Sequence, residues 1–127
     1  MLTLKMQVKK RLKSFSYAFA GIKDLFKTQP NAQIHLFVAL CVLIAGFFFN
    51  ISTIEWCILS LTMALVLSAE GFNTAIEYLT DLVSPDHHPL AGKTKDVAAG
   101  AVLISAIAAV IVGLLIFLPK MIQLFNG

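Results

Sequence analysis

The chain has 127 residues, enough for one domain and too few for two independent cores. Hydrophobic residues make up 58% of it and charged residues only 13%, where a soluble globular domain carries about 25% charged residues. With a mean hydropathy of +0.84 and a net charge of +3, the composition excludes an ordinary soluble enzyme and points to a membrane protein.

In chain order, the first element is an amphipathic helix over residues 1–28. Leu4, Val8, Leu12, Phe15, Phe19, Ile22 and Phe26 recur at steps of three and four, with lysines largely between them. Such a helix lies on the membrane surface or packs against the bundle; a simple interfacial anchor is one reading, and Lys10 and Tyr17 are the residues to watch for more. Thr28-Gln29-Pro30-Asn31 breaks it, because the residue before proline leaves the α region, and Asn31 or Thr28 can cap the next helix. Span 1 covers 31–49, and a short turn at Asn50–Thr53 leads into span 2 with its polar extension, 54–82. A loop over 83–93 holds two prolines and Gly92, and span 3 covers 94–118, ending before Pro119. Its run Val97–Leu118 is 22 uncharged residues, where about 20 suffice to cross a bilayer. Its many small residues, among them Ala98, Gly100, Ser105 and Gly113, favour close helix packing. Cys41 and Cys57 fall within spans and read as packing residues.

Seven of the ten basic residues precede span 1, and Lys93 and Lys95 sit in or beside the second loop. The positive-inside rule therefore places the N-terminus and second loop in the cytoplasm and the C-terminus outside. The basic N-terminus suits anionic lipid headgroups; no nucleic-acid partner is expected.

Polar chemistry gathers in two places. Glu70, Asn73, Glu77 and Asp81 share one helix face within roughly 80° of arc, directly after an uncharged run from Trp56 to Ala69. Carboxylates in such a place are costly and so mark function. Glu70, beside the apolar run, has the desolvated setting that suits a general base, while Glu77 and Asp81 could hold Mg²⁺ together with substrate phosphates. Asp81 reads equally well as a solvated residue. The second place is Lys93-Thr94-Lys95-Asp96 at the expected start of span 3, where lysines and free backbone N–H groups could hold a phosphate, or where the lysines could simply set topology. Gly92-Lys93-Thr94 is no P-loop, since His87 stands where the upstream glycine belongs and no strand precedes it. His87 and His88 lack the spacing of a zinc site.

Glu70-Gly-Phe-Asn73-Thr74-Ala75-Ile76-Glu77 with Asp81, then Lys95-Asp96-Val-Ala-Ala99-Gly100, resembles the prokaryotic diacylglycerol kinase family. The likeness runs from about Lys10 to Leu118, and the His87-His88-Pro89-Leu90-Ala91 loop is similar to the Gram-positive branch, whose members act as undecaprenol kinases. The resemblance implies an all-α homotrimeric membrane kinase with a surface helix and three spans per chain. It implies ATP and Mg²⁺ as cofactors, a membrane lipid alcohol as acceptor, and sites between neighbouring chains at the cytoplasmic boundary of the bacterial plasma membrane. It makes Glu70 the general base and Asn73 and Ala99 acceptor-side residues. Glu77 becomes the metal ligand and Lys95 the γ-phosphate partner, with Asp96, Lys10, Tyr17, Asp86, His87 and His88 around the nucleotide. Where the family carries a second metal-binding glutamate, this chain has Gln29. Undecaprenol is the expected acceptor and diacylglycerol the alternative. A cation or proton transporter would explain the acidic face but gives Lys95 and Asp96 no role, and a non-catalytic scaffold would leave the whole polar set idle.

Overall fold

The computed structural model describes residues 3–127, which form four helices: α1 (Leu4–Thr28), α2 (Pro30–Phe48), α3 (Thr53–Val83) and α4 (Pro89–Asn126). No strand occurs among the described residues. α2, α3 and α4 are each long and apolar enough to cross a bilayer, which makes this a multi-pass membrane protein.

Packing follows a seven-residue rhythm. On α3, Leu59, Val66, Asn73 and Thr80 are buried, and Trp56, Met63, Glu70 and Glu77 fill the alternate steps of three and four. On α4, Lys95, Ala98, Val102, Ser105, Ala109, Val112 and Ile116 form the matching buried or half-buried row. Such a repeat is the seam of helices crossing at a shallow angle, with side chains of one seated between those of the other. α2 joins through Ala32, Ala39 and Gly46, small residues seven apart that let backbones approach. At Gly46 the approach is closest, with the Trp56 ring lying where a β-carbon would be. A small apolar cluster of Ile51, Leu59 and Ile116, flanked by Phe49 and Phe117, closes that end of the bundle.

The turns explain the register. Asn50 takes φ 49°, a left-handed conformation that Asn tolerates. Ile51 N–H reaches Gly46 O and Asn50 N–H reaches Phe47 O, the paired bonds of a Schellman ending. Ser52 and Glu55 then exchange bonds in a capping box that starts α3. At the other end, residues 84–88 alone join α3 to α4.

Several expected boundaries shift. α4 begins at Pro89 and not at Thr94, because proline is well suited to the first helical position and the His88 side chain caps the turn. α4 also continues through Pro119 to Asn126; that proline lacks only the bond to Leu115 O, close to the helix end. Pro30, not Asn31, opens α2, and Gln29 precedes it without a side-chain cap. Cys41 and Cys57 are free thiols exposed on the surface of the chain rather than packed inside it.

Ion pairs bracket the α3–α4 seam. Lys95 pairs with Asp81 at one end, and Lys120 pairs with Glu55 at 3.0 Å at the other. The two pairs lie twenty-five or twenty-six helical steps apart, about 38 Å along the axis.

Candidate active site

The polar residues of α3 are not a face apart from the core; they continue its seam. Glu70 is 2% exposed and Asn73 9%, in the same row as Leu59 and Val66. Glu70 Oε1, Asn73 Oδ1 and Thr74 Oγ1 are buried without a hydrogen-bond partner in the chain. Three orphaned oxygens within five residues are costly, since each unmade bond forfeits roughly 1–3 kcal/mol. A native helix keeps such a set where a ligand or second chain completes it. Thr74 is an exception to a local rule, because Thr28, Thr62, Thr80 and Thr94 all donate to the carbonyl four residues back.

One neighbour of Glu70 escapes a reading of motifs. His35, on α2, places Nε2 3.2 Å from Glu70 Oε1, within ion-pair range but without hydrogen-bond geometry. Its only sequence signal is its place in the α2 rhythm, one turn after Ala32.

One turn beyond Asn73, Glu77 is half-buried and close enough to act electrostatically on both Glu70 and Lys95. Lys95 bonds Asp81, so Asp81 is a bridge between α3 and α4 and not merely a solvated residue. Asp81, Asp86, His87, His88 and Lys95 line one cleft of about 250 Å³ beside the 84–88 connection. The expected nucleotide-side residues of the loop thus converge with Lys95 of α4. His88 has a structural task as well: its Nδ1 accepts the Leu90 N–H at the start of α4. Because α4 starts early, Lys93–Asp96 lie in its second turn. The free backbone N–H groups of the helix start are therefore not beside Lys95, and a phosphate there would depend on the side chain.

Gln29 is drawn to Tyr78 instead of Glu77. Its Nε2 donates to Thr28 Oγ1 at 3.1 Å and to Tyr78 Oη at 3.5 Å. Tyr78 in turn donates to Asp24 Oδ2 at 2.8 Å, so the end of α1 is pinned to α3 one residue from Glu77. Lys10 and Tyr17 stay apart from this group: both are exposed on α1, and Lys13 covers the Tyr17 ring at 5.8 Å. Asp96 and Ala99 are exposed on α4, off the seam that carries Lys95 and Ala98. A single chain therefore assembles Glu70, Asn73, Glu77 and the Lys95 cleft, and leaves Lys10, Tyr17, Asp96 and Ala99 facing outward.

No group of three or more His, Cys, Asp or Glu side chains among the described residues could enclose a metal. Mg²⁺ does not require one, since one or two carboxylates plus phosphates and water complete its shell. Glu77 fits that pattern as a half-buried carboxylate close enough to act on Lys95, which lines the polar cleft.

Fold and site together define a multi-pass helical membrane protein with a buried carboxylate and amide on one helix and a polar cleft farther along it. Residues 16–117 match the family model for prokaryotic diacylglycerol kinase. The chain is 49% identical over 109 residues to the undecaprenol kinase of Bacillus subtilis (strain 168), covering 86% of this chain and 89% of that one. It is 46% identical over 114 residues to a diacylglycerol kinase of Synechocystis, covering 89% of this chain and 65% of that one. To the diacylglycerol kinase of Escherichia coli K12 it is 27% identical over 100 residues, 79% of this chain and 82% of that one. The chain belongs to the prokaryotic diacylglycerol kinase family. It is a lipid kinase, which takes a phosphoryl group from a nucleotide and passes it to a membrane lipid.

Proposed function

We propose that the chain phosphorylates the terminal hydroxyl of undecaprenol, with ATP as donor and Mg²⁺ as cofactor. The acceptor rests on the 49% identity to an undecaprenol kinase over most of both chains. The observation that carries the catalytic assignment is the buried, unpartnered pair of acceptor oxygens on Glu70 and Asn73.

Glu70 takes the proton from the lipid hydroxyl, and the freed oxygen bonds to the γ-phosphorus as the bond to the bridging oxygen of ADP breaks. Asn73 orients the hydroxyl, with Ala99 on the acceptor side. Glu77 would hold Mg²⁺, which would supply charge neutralisation for the nucleotide phosphates. Gln29 stands where a second carboxylate is expected; with its amide nitrogen tied to Thr28 and Tyr78, only its oxygen remains for a cation. Lys95 exchanges Asp81 for the γ-phosphate. Asp86, His87 and His88 border the nucleotide in the cleft, and Lys10, Tyr17 and Asp96 contribute to it from outward faces. Phosphoryl transfer needs placement and charge neutralisation more than covalent help, and this set supplies both.

The outward-facing residues support a homotrimer in which neighbouring chains complete each site. α1 acts as an amphipathic surface helix, with the N-terminus and the 84–88 connection cytoplasmic and the C-terminus outside. Centring a hydrocarbon core of about 30 Å between the two ion pairs puts Glu77 near its inner edge and Glu70 roughly 12 Å within.

Purified protein in mixed micelles, given each alcohol and labelled ATP, tests the acceptor: undecaprenol should turn over faster, and equal or better turnover of diacylglycerol removes the assignment. Glu70→Gln should bind ATP and lose at least about 100-fold in kcat, the scale of a lost general base. Unchanged phosphorylation removes Glu70 from that role.

A further inference from the structure

The reaction as assigned gives Glu70 a proton to accept but no group to hold its carboxylate. A buried carboxylate needs a partner, because burial penalises an unpaired charge by several kcal/mol. Asn73 and Thr74 do not bond it, and their own oxygens are also unpartnered. α4 offers nothing ionisable between Asp96 and Lys120. On α3 the nearby charge is Glu77, of the same sign. At the end of α1, Leu25 lies beside Gly71, and Asp24 is engaged by Tyr78 while Lys23 and Lys27 are exposed. That leaves α2 and His35, whose Nε2 stands 3.2 Å from Oε1 with its side chain 26% exposed against 3% for Glu70.

His35 is held there by the backbone. Ala32 and Ala39 seat α2 close against its neighbours, and His35 lies between them in the same rhythm. His35 and Thr62 are the polar residues lining an otherwise apolar cavity of about 330 Å³, whose walls include Val38, Leu59, Val66, Ala109 and Gly113. Away from water, an imidazole–carboxylate contact is stronger than at a surface. The contact has the distance of a hydrogen bond and lacks its alignment.

We infer that His35 is a positioning residue for phosphoryl transfer, holding the Glu70 carboxylate through Nε2 in the orientation that receives the hydroxyl proton. The inference rests on Glu70 being the base, and a set of variants separates the two. In the purified full chain in micelles, His35→Leu should lower kcat about 10- to 100-fold, the cost of a misplaced reacting group, with the KM for ATP within about twofold of the parent. His35→Gln puts an N–H donor near the position of Nε2 and should recover most of that rate. Glu70→Gln/His35→Leu should be no slower than Glu70→Gln alone, because a residue acting through Glu70 has nothing to add once it is gone. Parental kcat in His35→Leu overturns the inference. So does an equal loss in His35→Gln and His35→Leu, or a further loss in the double variant. Full activity in Glu70→Gln instead overturns the assignment of the base itself. Circular dichroism and the size of the purified oligomer, matched across the variants, show that the rates compare folded proteins.

Discussion

Gly46→Ala tests how α2 is seated. A β-carbon there would lie 2.5 Å from Trp56 Cη2, 2.9 Å from Cζ2 and 3.1 Å from Cζ3. Carbon atoms meet comfortably at about 3.5–4.0 Å, so the added methyl intrudes by roughly 1 Å on a ring that cannot bend. Trp56 also packs on Phe47, with ring centroids 4.9 Å apart, which restricts its escape on that side. Overpacking of this kind costs about 1–3 kcal/mol, and the better helix propensity of Ala returns up to about 1 kcal/mol. A net loss of up to about 2 kcal/mol is expected, read as a lower midpoint in a detergent-denaturation titration followed by circular dichroism. Trp56 is the only tryptophan, so its emission reports the displacement directly. Trp56→Phe removes the ring atoms in conflict and should abolish the penalty of Gly46→Ala in the double variant. Unchanged stability together with unchanged emission in Gly46→Ala would refute the contact, and with it the seating that brings His35 to Glu70.

Two further substitutions probe single atoms of the site. His88→Ala should cost about 0.5–2 kcal/mol by removing the cap on Leu90, while His88→Asn, a good cap, should restore stability and still raise the KM for ATP; a parental KM in His88→Asn would confine His88 to capping. Thr74→Val replaces an unpartnered buried hydroxyl by a methyl of similar shape, so the denaturation midpoint should hold or rise. A loss of more than about 1 kcal/mol of stability would show that the hydroxyl is bonded in the assembled protein.

The sequence carried the helices and the candidate residues further than it carried their setting. Three spans and the shared face of Glu70, Asn73 and Glu77 follow from hydropathy and a 3.6-residue period. What the period does not reveal is that this face prolongs the row of Trp56, Leu59, Met63 and Val66, since a carboxylate in an apolar row reads as an interruption. His35 was legible only by its place in the α2 rhythm; its approach to Glu70 depends on how two helices pack. Pro89 and Pro119 misled in opposite ways. Pro89 belongs to a proline-rich connection yet opens a helix, whereas Pro119 resembles a stop yet lies where a helix tolerates one missing bond. The start of α3 carries a plainer local signal, because Ser52 and Glu55 stand at the three-residue spacing of a capping box. The outer surface of α1 stayed illegible for a physical reason: amphipathy predicts a buried face, but one chain covers that face no further than half-burial at Leu25 and Phe26.

The ion pairs at either end of the α3–α4 seam give the molecule a fixed length of about 38 Å, against a hydrocarbon thickness of about 30 Å. Charges at both ends resist being drawn inward, so a bilayer of different thickness is met by tilting or by deforming the lipid, not by shortening the pair. The depth of Glu70 below the interface then varies with the membrane, while its distance from Glu77 does not. A thinner bilayer brings the headgroup plane toward Glu70, and a thicker one carries it away. Membrane thickness thereby sets how deep that carboxylate lies below the headgroups.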